Sequence, residues 1–117
     1  MATEKTIQVQ EELIELSVDV ISLCQALSLP RAVHDQVVRS VTSIGANFTE
    51  AQDASSKKDF LNKIYIAKKE AAETKYWLAI IAKLNDNNQE VTLLSGRVQK
   101  FVMMLQKIVN TTKEPKS

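Results

Sequence analysis

Residues 60–81 read FLNKIYIAKKEAAETKYWLAII. Within this stretch Phe60, Ile64, Ala67, Ala71, Thr74, Leu78 and Ile81 recur at alternating steps of four and three. That period, close to 3.5 residues, belongs to a helix whose small or apolar seam faces other helices. A half-buried strand would alternate in twos instead. The spacing predicts one long helix over about residues 57–84. Ser56, with Asp59 three residues on, resembles a capping box in which Asp replaces the usual Glu or Gln. The run Asn85-Asp86-Asn87-Asn88 breaks the pattern, and Asn87 or Asn88 is placed to cap a further helix.

The same period extends to both sides. Val91, Leu94, Val98, Phe101, Leu105 and Ile108 predict a helix over about 89–111, leaving a frayed tail over 112–117 that contains Pro115. Upstream, Val33, Val37, Val41, Ile44, Phe48 and Ala51 form one stripe of a helix over about 30–53. The first helix, about 4–27, repeats Leu13, Leu16, Val20, Cys24 and Leu27, with Ile14, Val18 and Ile21 beside them. Ser28-Leu29-Pro30 ends it, and Pro30 suits the first turn of the next helix. With only two glycines and two prolines in 117 residues, β-rich turns have little to build on. Short loops between long helices make sequence neighbours pack antiparallel. The expectation is an all-α, antiparallel up-down-up-down four-helix bundle forming a single domain over residues 1–117.

Several kinds of chemistry find no footing. A di-iron bundle needs inward Glu residues and Glu-x-x-His pairs on two helices, yet the one histidine, His34, has Arg31 three positions earlier. Cys24, the only cysteine, allows neither an internal disulfide nor a thiolate cluster, and its apolar position suits a buried thiol. Nothing in the spacing joins Cys24 to His34. There is no Gly-x-Ser-x-Gly elbow and no phosphate-cradling glycine loop. No metal ligand set, catalytic residue, cofactor or small-molecule substrate is therefore expected. The N-terminus lacks the charged-then-apolar pattern of a signal peptide, and no apolar run approaches the roughly 20 residues of a membrane span. A cytoplasmic protein without a membrane partner is the expectation.

The net charge of +1 is near zero but unevenly spread. Residues 1–30 carry one lysine against five acids, while residues 55–117 carry twelve bases against six acids. Lys57, Lys58, Lys68, Lys75, Lys83, Arg97, Lys100 and Lys107 are the candidates for a basic surface that contacts phosphates without reading bases. No aromatic stacking platform is evident beside them. On the second helix Gln36, Ser40, Ser43, Asn47 and Glu50 line up beside the apolar stripe, and Glu70 and Glu73 answer on the third. Buried polar groups need partners, so Ser40, Ser43, Asn47, Glu50, Glu70 and Glu73 are expected to form an inter-helix network. Tyr65, Tyr76 and Ile80 project away from the third helix's seam, with Trp77 between. The fourth helix adds Val102, Met103, Met104 and Val109 beyond its own. Tyr65, Tyr76, Trp77, Ile80, Met103 and Met104 are the candidates for a self-association surface.

Residues 43–51, Ser-Ile-Gly-Ala-Asn-Phe-Thr-Glu-Ala, resemble the Ser-Ile-x-x-Asn-Ile-x-Glu-Gly motif of the bacterial "four helix bundle protein" family. That family is also called the ribosomal-RNA intervening-sequence protein family. Residues 59–78 resemble its second signature, where Ile-Ala is followed by a small residue and a glutamate before an aromatic–leucine pair. The similarity spans about residues 25–105. Phe48 stands where the motif has Ile, and Ala51 where it has Gly, which implies that the second helix runs on slightly before turning. The resemblance implies barrel-like homopentamers of four-helix protomers. A relative similar in fold, the accessory protein of diversity-generating retroelements, binds nucleic acid and a reverse transcriptase through a basic surface. The family name records where some members' genes lie. The combined expectation is a non-catalytic homo-oligomeric scaffold that binds RNA, DNA or a ribonucleoprotein. The alternative is a protein–protein adaptor that uses its apolar faces.

Overall fold

The computed structural model describes residues 3–113, which form four helices: α1 (Glu4–Ala26), α2 (Arg31–Ala51), α3 (Lys57–Leu84) and α4 (Gln89–Lys113). Local chemistry sets each start. The Thr3 hydroxyl accepts from the Thr6 backbone N–H at 3.1 Å, and Ser56 accepts from Asp59 N–H at 3.0 Å. Asp59 returns a weaker bond at 3.4 Å, to the N–H of Ser55 rather than to that of Ser56. Of the two candidate asparagines, Asn88 is the cap, its Oδ1 accepting from Glu90 N–H at 2.8 Å. Asp86 and Asn87 carry the positive φ values, 53° and 57°, that reverse the chain after α3. Short polar side chains tolerate that region better than others do.

Some ends differ from the periodic expectation. Pro30, with φ −55°, stands just before α2, and its carbonyl accepts from Val33 and His34 N–H, both at 3.0 Å. α1 ends at Ala26, with Leu27 as its cap. α2 stops at Ala51, two residues short of the expected 53, so Ala51 does not prolong it. Three successive i→i−3 bonds from Gln52, Asp53 and Ala54 tighten the chain there into the next turn. At the other end α4 runs on to Lys113, so Thr112 and Lys113 are helical rather than part of a frayed tail. The remainder of that tail lies outside the described residues.

The bundle measures 51 × 23 × 20 Å. α2 packs closely on α3 and α3 on α4, whereas α1 lies more lightly against α2 and most lightly against α4. Among the described residues the backbones of α1 and α3, and likewise those of α2 and α4, do not approach closely, so these are the two diagonal pairs. The core follows the seams: Leu16, Val20, Val37, Ile44, Ile64, Leu78, Val98 and Leu105 are fully enclosed. Near its C-terminus α4 buries Val109 and leaves Ile108 half-buried. Gly45 of α2 faces α1, where a Cβ would stand 3.4 Å from that of Leu13. Among the described residues no helix is long and apolar enough to cross a membrane.

Truncating an enclosed core side chain removes its transfer free energy and leaves a cavity. Leu105→Ala should therefore lose about 2–5 kcal/mol in urea unfolding. Leu93→Ala, on the exposed side of the same helix, should stay within about 0.5 kcal/mol of the parent.

Candidate functional site

A polar network forms between α2 and α3, but around a residue that the apolar and polar stripes do not single out. The Arg39 guanidinium reaches across to Glu70 at 2.8 Å and to Glu73, while its Nε donates to Gln36 at 3.1 Å. The Trp77 indole N–H donates to the same Glu73 oxygen at 2.9 Å, and Tyr76 packs edge-on to Trp77. Deeper in, the hydroxyls of Ser40 and Thr74 meet at 2.9 Å, with Val37 and Glu70 carbonyls as further partners. Among the described residues no buried side-chain nitrogen or oxygen lacks a partner.

The rest of the expected network sits nearer the surface. Asn47 is half-buried and donates to the Ser43 carbonyl of its own helix at 2.9 Å, not to α3. Ser43 enters through that carbonyl alone. Glu50 is exposed and pairs with Lys63 at 2.9 Å. Asn47 thus bonds backbone and Glu50 a neighbouring helix, the partners expected of them, but both lie nearer the surface than expected, since α2 places their side chains at the α2–α3 rim.

The eight basic candidates do not share one face. Lys68 and Lys75 are half-buried and donate to Gln106 and Gln99 of α4. The two pairs are offset by one heptad on each helix, so these lysines tie α3 to α4. Arg97 bonds Asp19 of α1 at 2.7 Å. Lys100 and Lys107 are exposed on α4, Lys83 near the end of α3, and Lys57 and Lys58 at its start. The last two border a groove of about 790 Å³ with Asn62, Tyr65 and Lys113. Lys113 Nζ donates to the Tyr65 hydroxyl at 3.3 Å, bringing a third ammonium to the groove. The α3 N-terminus adds the positive end of a 28-residue helix.

Among the self-association candidates, Tyr65, Tyr76 and Met103 are exposed. Trp77, Ile80 and Met104 are half-buried, and Trp77 and Met104 pack on the core. The sequence pattern missed the exposed side of α1, where Ile7, Ile14 and Val18 face outward. Its signal was present in the steps of seven and four between them.

Cys24 and His34, unlinked by spacing, line one cleft of about 290 Å³ with Leu27 and Asp35. Burial pushes the Cys24 thiol upward, away from thiolate. Among the described residues no group of three or more His, Cys, Asp or Glu side chains is placed to hold a metal ion.

Residues 5–107 match the 23S rRNA-intervening sequence protein family, and the chain belongs to it. The structure is similar to that of a protein of unknown function from the S23 ribosomal protein family of Bacteroides thetaiotaomicron VPI-5482. The two share 31% identity over 86% of this chain and 97% of that one, with a TM-score of 0.76. No curated protein matches the chain.

The Glu73 carboxyl is held below the usual range, first by the Trp77 indole N–H and then by Arg39. A carboxylate depressed in the folded state stabilises the fold above its unfolded pKa, about 4.3, and loses that contribution as pH falls through the folded value. Urea unfolding between pH 7 and pH 3 should therefore show stability falling on the acid side. Trp77→Phe should flatten that acid-dependent part, since it removes the largest cause.

Proposed function

We propose that this member of the 23S rRNA-intervening sequence protein family is a non-catalytic, cytoplasmic helical scaffold that self-associates and holds RNA by its phosphates. The observation that carries the RNA contact is the groove where α3 begins and α4 ends. Lys57, Lys58 and Lys113 converge there around Tyr65 and Asn62. Among the described residues Asp59 is the one acid on its lining, and it accepts from the Ser55 N–H. Ammonium groups beside a helix N-terminus favour anions of any base sequence.

The near-neutral chain makes such a contact weak in one protomer. Assembly multiplies it, because linked sites raise effective concentration. Five protomers is the number carried over from the resemblance to barrel-like homopentamers. The second reading, an adaptor that docks a partner protein, is favoured by the exposed apolar row Ile7, Ile14 and Val18. Salt separates the two, since phosphate contacts weaken steeply with salt and apolar docking hardly changes.

Fluorescence anisotropy with labelled single-stranded RNA across a salt series tests the first reading. Three phosphates neutralised per protomer should give a slope of about −2 in log affinity against log salt. Lys57→Glu with Lys58→Glu should abolish binding and keep the helical signal. Lys68→Glu with Lys75→Glu should instead lower the melting temperature, since those lysines bind α4 glutamines. No binding at low salt would leave the adaptor reading in front.

A further inference from the structure

Helices α1 and α3, which face each other across one diagonal of the bundle, present outer faces of opposite character. At about 100° per residue, Ile7, Ile14 and Val18 of α1 share one outward arc with Glu4, Glu11 and Glu15. All six are exposed. The only base in α1, Lys5, falls outside this arc, toward α4, where it borders a cleft with Lys107. Ile14 is 63% and Val18 54% exposed, so neither is core overspill. On α3 the outward arc holds Tyr65, Lys69, Ala72, Tyr76 and Lys83, again all exposed. No acid lies on it. Asp59, Glu70 and Glu73 of α3 all turn toward the α2 side of the helix, and the latter two are bonded there to Arg39.

The repeats also match. Ile7 to Val18 and Tyr65 to Tyr76 are both separations of eleven residues, about 16 Å of helix. One face is acidic around aliphatic side chains; the other is basic around aromatic rings. Docking α1 on a second α1 sets carboxylates against carboxylates, and α3 on α3 sets ammonium against ammonium. Docking α1 on α3 satisfies both the apolar and the charged terms. A single chain cannot do this internally, because α1 and α3 lie on opposite corners of the bundle.

We infer that a second copy of this chain docks head to tail, its α1 outer face on the α3 outer face of the first. This inference rests on the self-association proposed above and names the surfaces that make it. Such a contact is heterologous: every protomer offers one donor and one acceptor face, so the assembly closes as a ring or runs on as a filament. Tyr65 marks the edge shared by this face and the phosphate groove. Lys57, Lys58 and Lys113 lie beyond it at the bundle end, so docking covers the Tyr65 side of the groove and leaves its ammonium groups open.

The test is complementation between two variants that each lose one face. Glu11→Lys with Glu15→Lys spoils α1, and Lys69→Glu with Lys83→Glu spoils α3. By light scattering each variant alone should run at the 13.1 kDa protomer mass. An equimolar mixture should assemble again and grow beyond a heterodimer, because the native α1 and α3 faces still pair and the reversed α1, now basic, complements the reversed α3, now acidic. Variants that alone keep the parent assembly, or a mixture that stays monomeric, would overturn the inference. A parent protein that is itself monomeric would overturn self-association as well. Should charge reversal unfold either chain by circular dichroism, Ile14→Ala with Val18→Ala and Tyr76→Ala are to be mixed in the same way. Failure of those exposed-site variants to separate and recombine would overturn it equally.

Discussion

Helix α3 has a closely packed neighbour on each flank, and the rest of the bundle is organised by how those flanks are locked. Its seam of Ile64, Ala67, Ala71, Thr74, Leu78 and Ile81 is buried without interruption. A seam of mostly small and branched side chains lets helices approach closely but specifies register poorly. Polar contacts supply the register. Toward α2, Arg39 bridges Glu70 and Glu73 while Ser40 meets Thr74. Toward α4, Lys68 and Lys75 reach Gln106 and Gln99. A slip of one turn on either side would strand these groups, and a buried polar atom without a partner costs about 1–3 kcal/mol.

Those locks also explain why a count of charges misleads. Every base of the chain's second half counts equally in the sequence, yet the long stems of Lys68, Lys75 and Arg97 are spent across helix boundaries. Their positions flank the seams, where a side chain can turn to solvent or to a neighbour. Which it does depends on the residue opposite, about 20 to 80 positions away in the chain. The charge left for a partner is local: the end groove of Lys57, Lys58 and Lys113, and the outward arcs of α1 and α3.

The elements whose period was strong were legible. The seams of α2, α3 and α4, the Ser56 cap and the contact between sequence neighbours all follow from spacing and loop length. The ends of helices were less so, because Gln52, Asp53 and Ala54 tighten by i→i−3 bonds that have no compositional mark. Arg39 escaped notice since it lies on the far edge of the polar stripe, and its role exists only once Glu70 and Glu73 are set opposite. The outer arc of α1 was visible as Ile14 and Val18 but read as flanking the core. The helical period itself sets them on the side away from the buried seam of Leu13, Leu16, Val20 and Cys24.

The light packing of α1 has a kinetic corollary. Elements with fewer enclosed contacts open at lower free energy than the whole domain. Helices joined by short loops assemble quickly because their contacts are close in sequence. α2, α3 and α4 form such a consecutive hairpin series, whereas α1 must also find α4 from the opposite end of the chain. On these grounds α1 is expected to dock last and to exchange its amide protons first, with opening along the α1–α4 cleft while the other three helices stay packed.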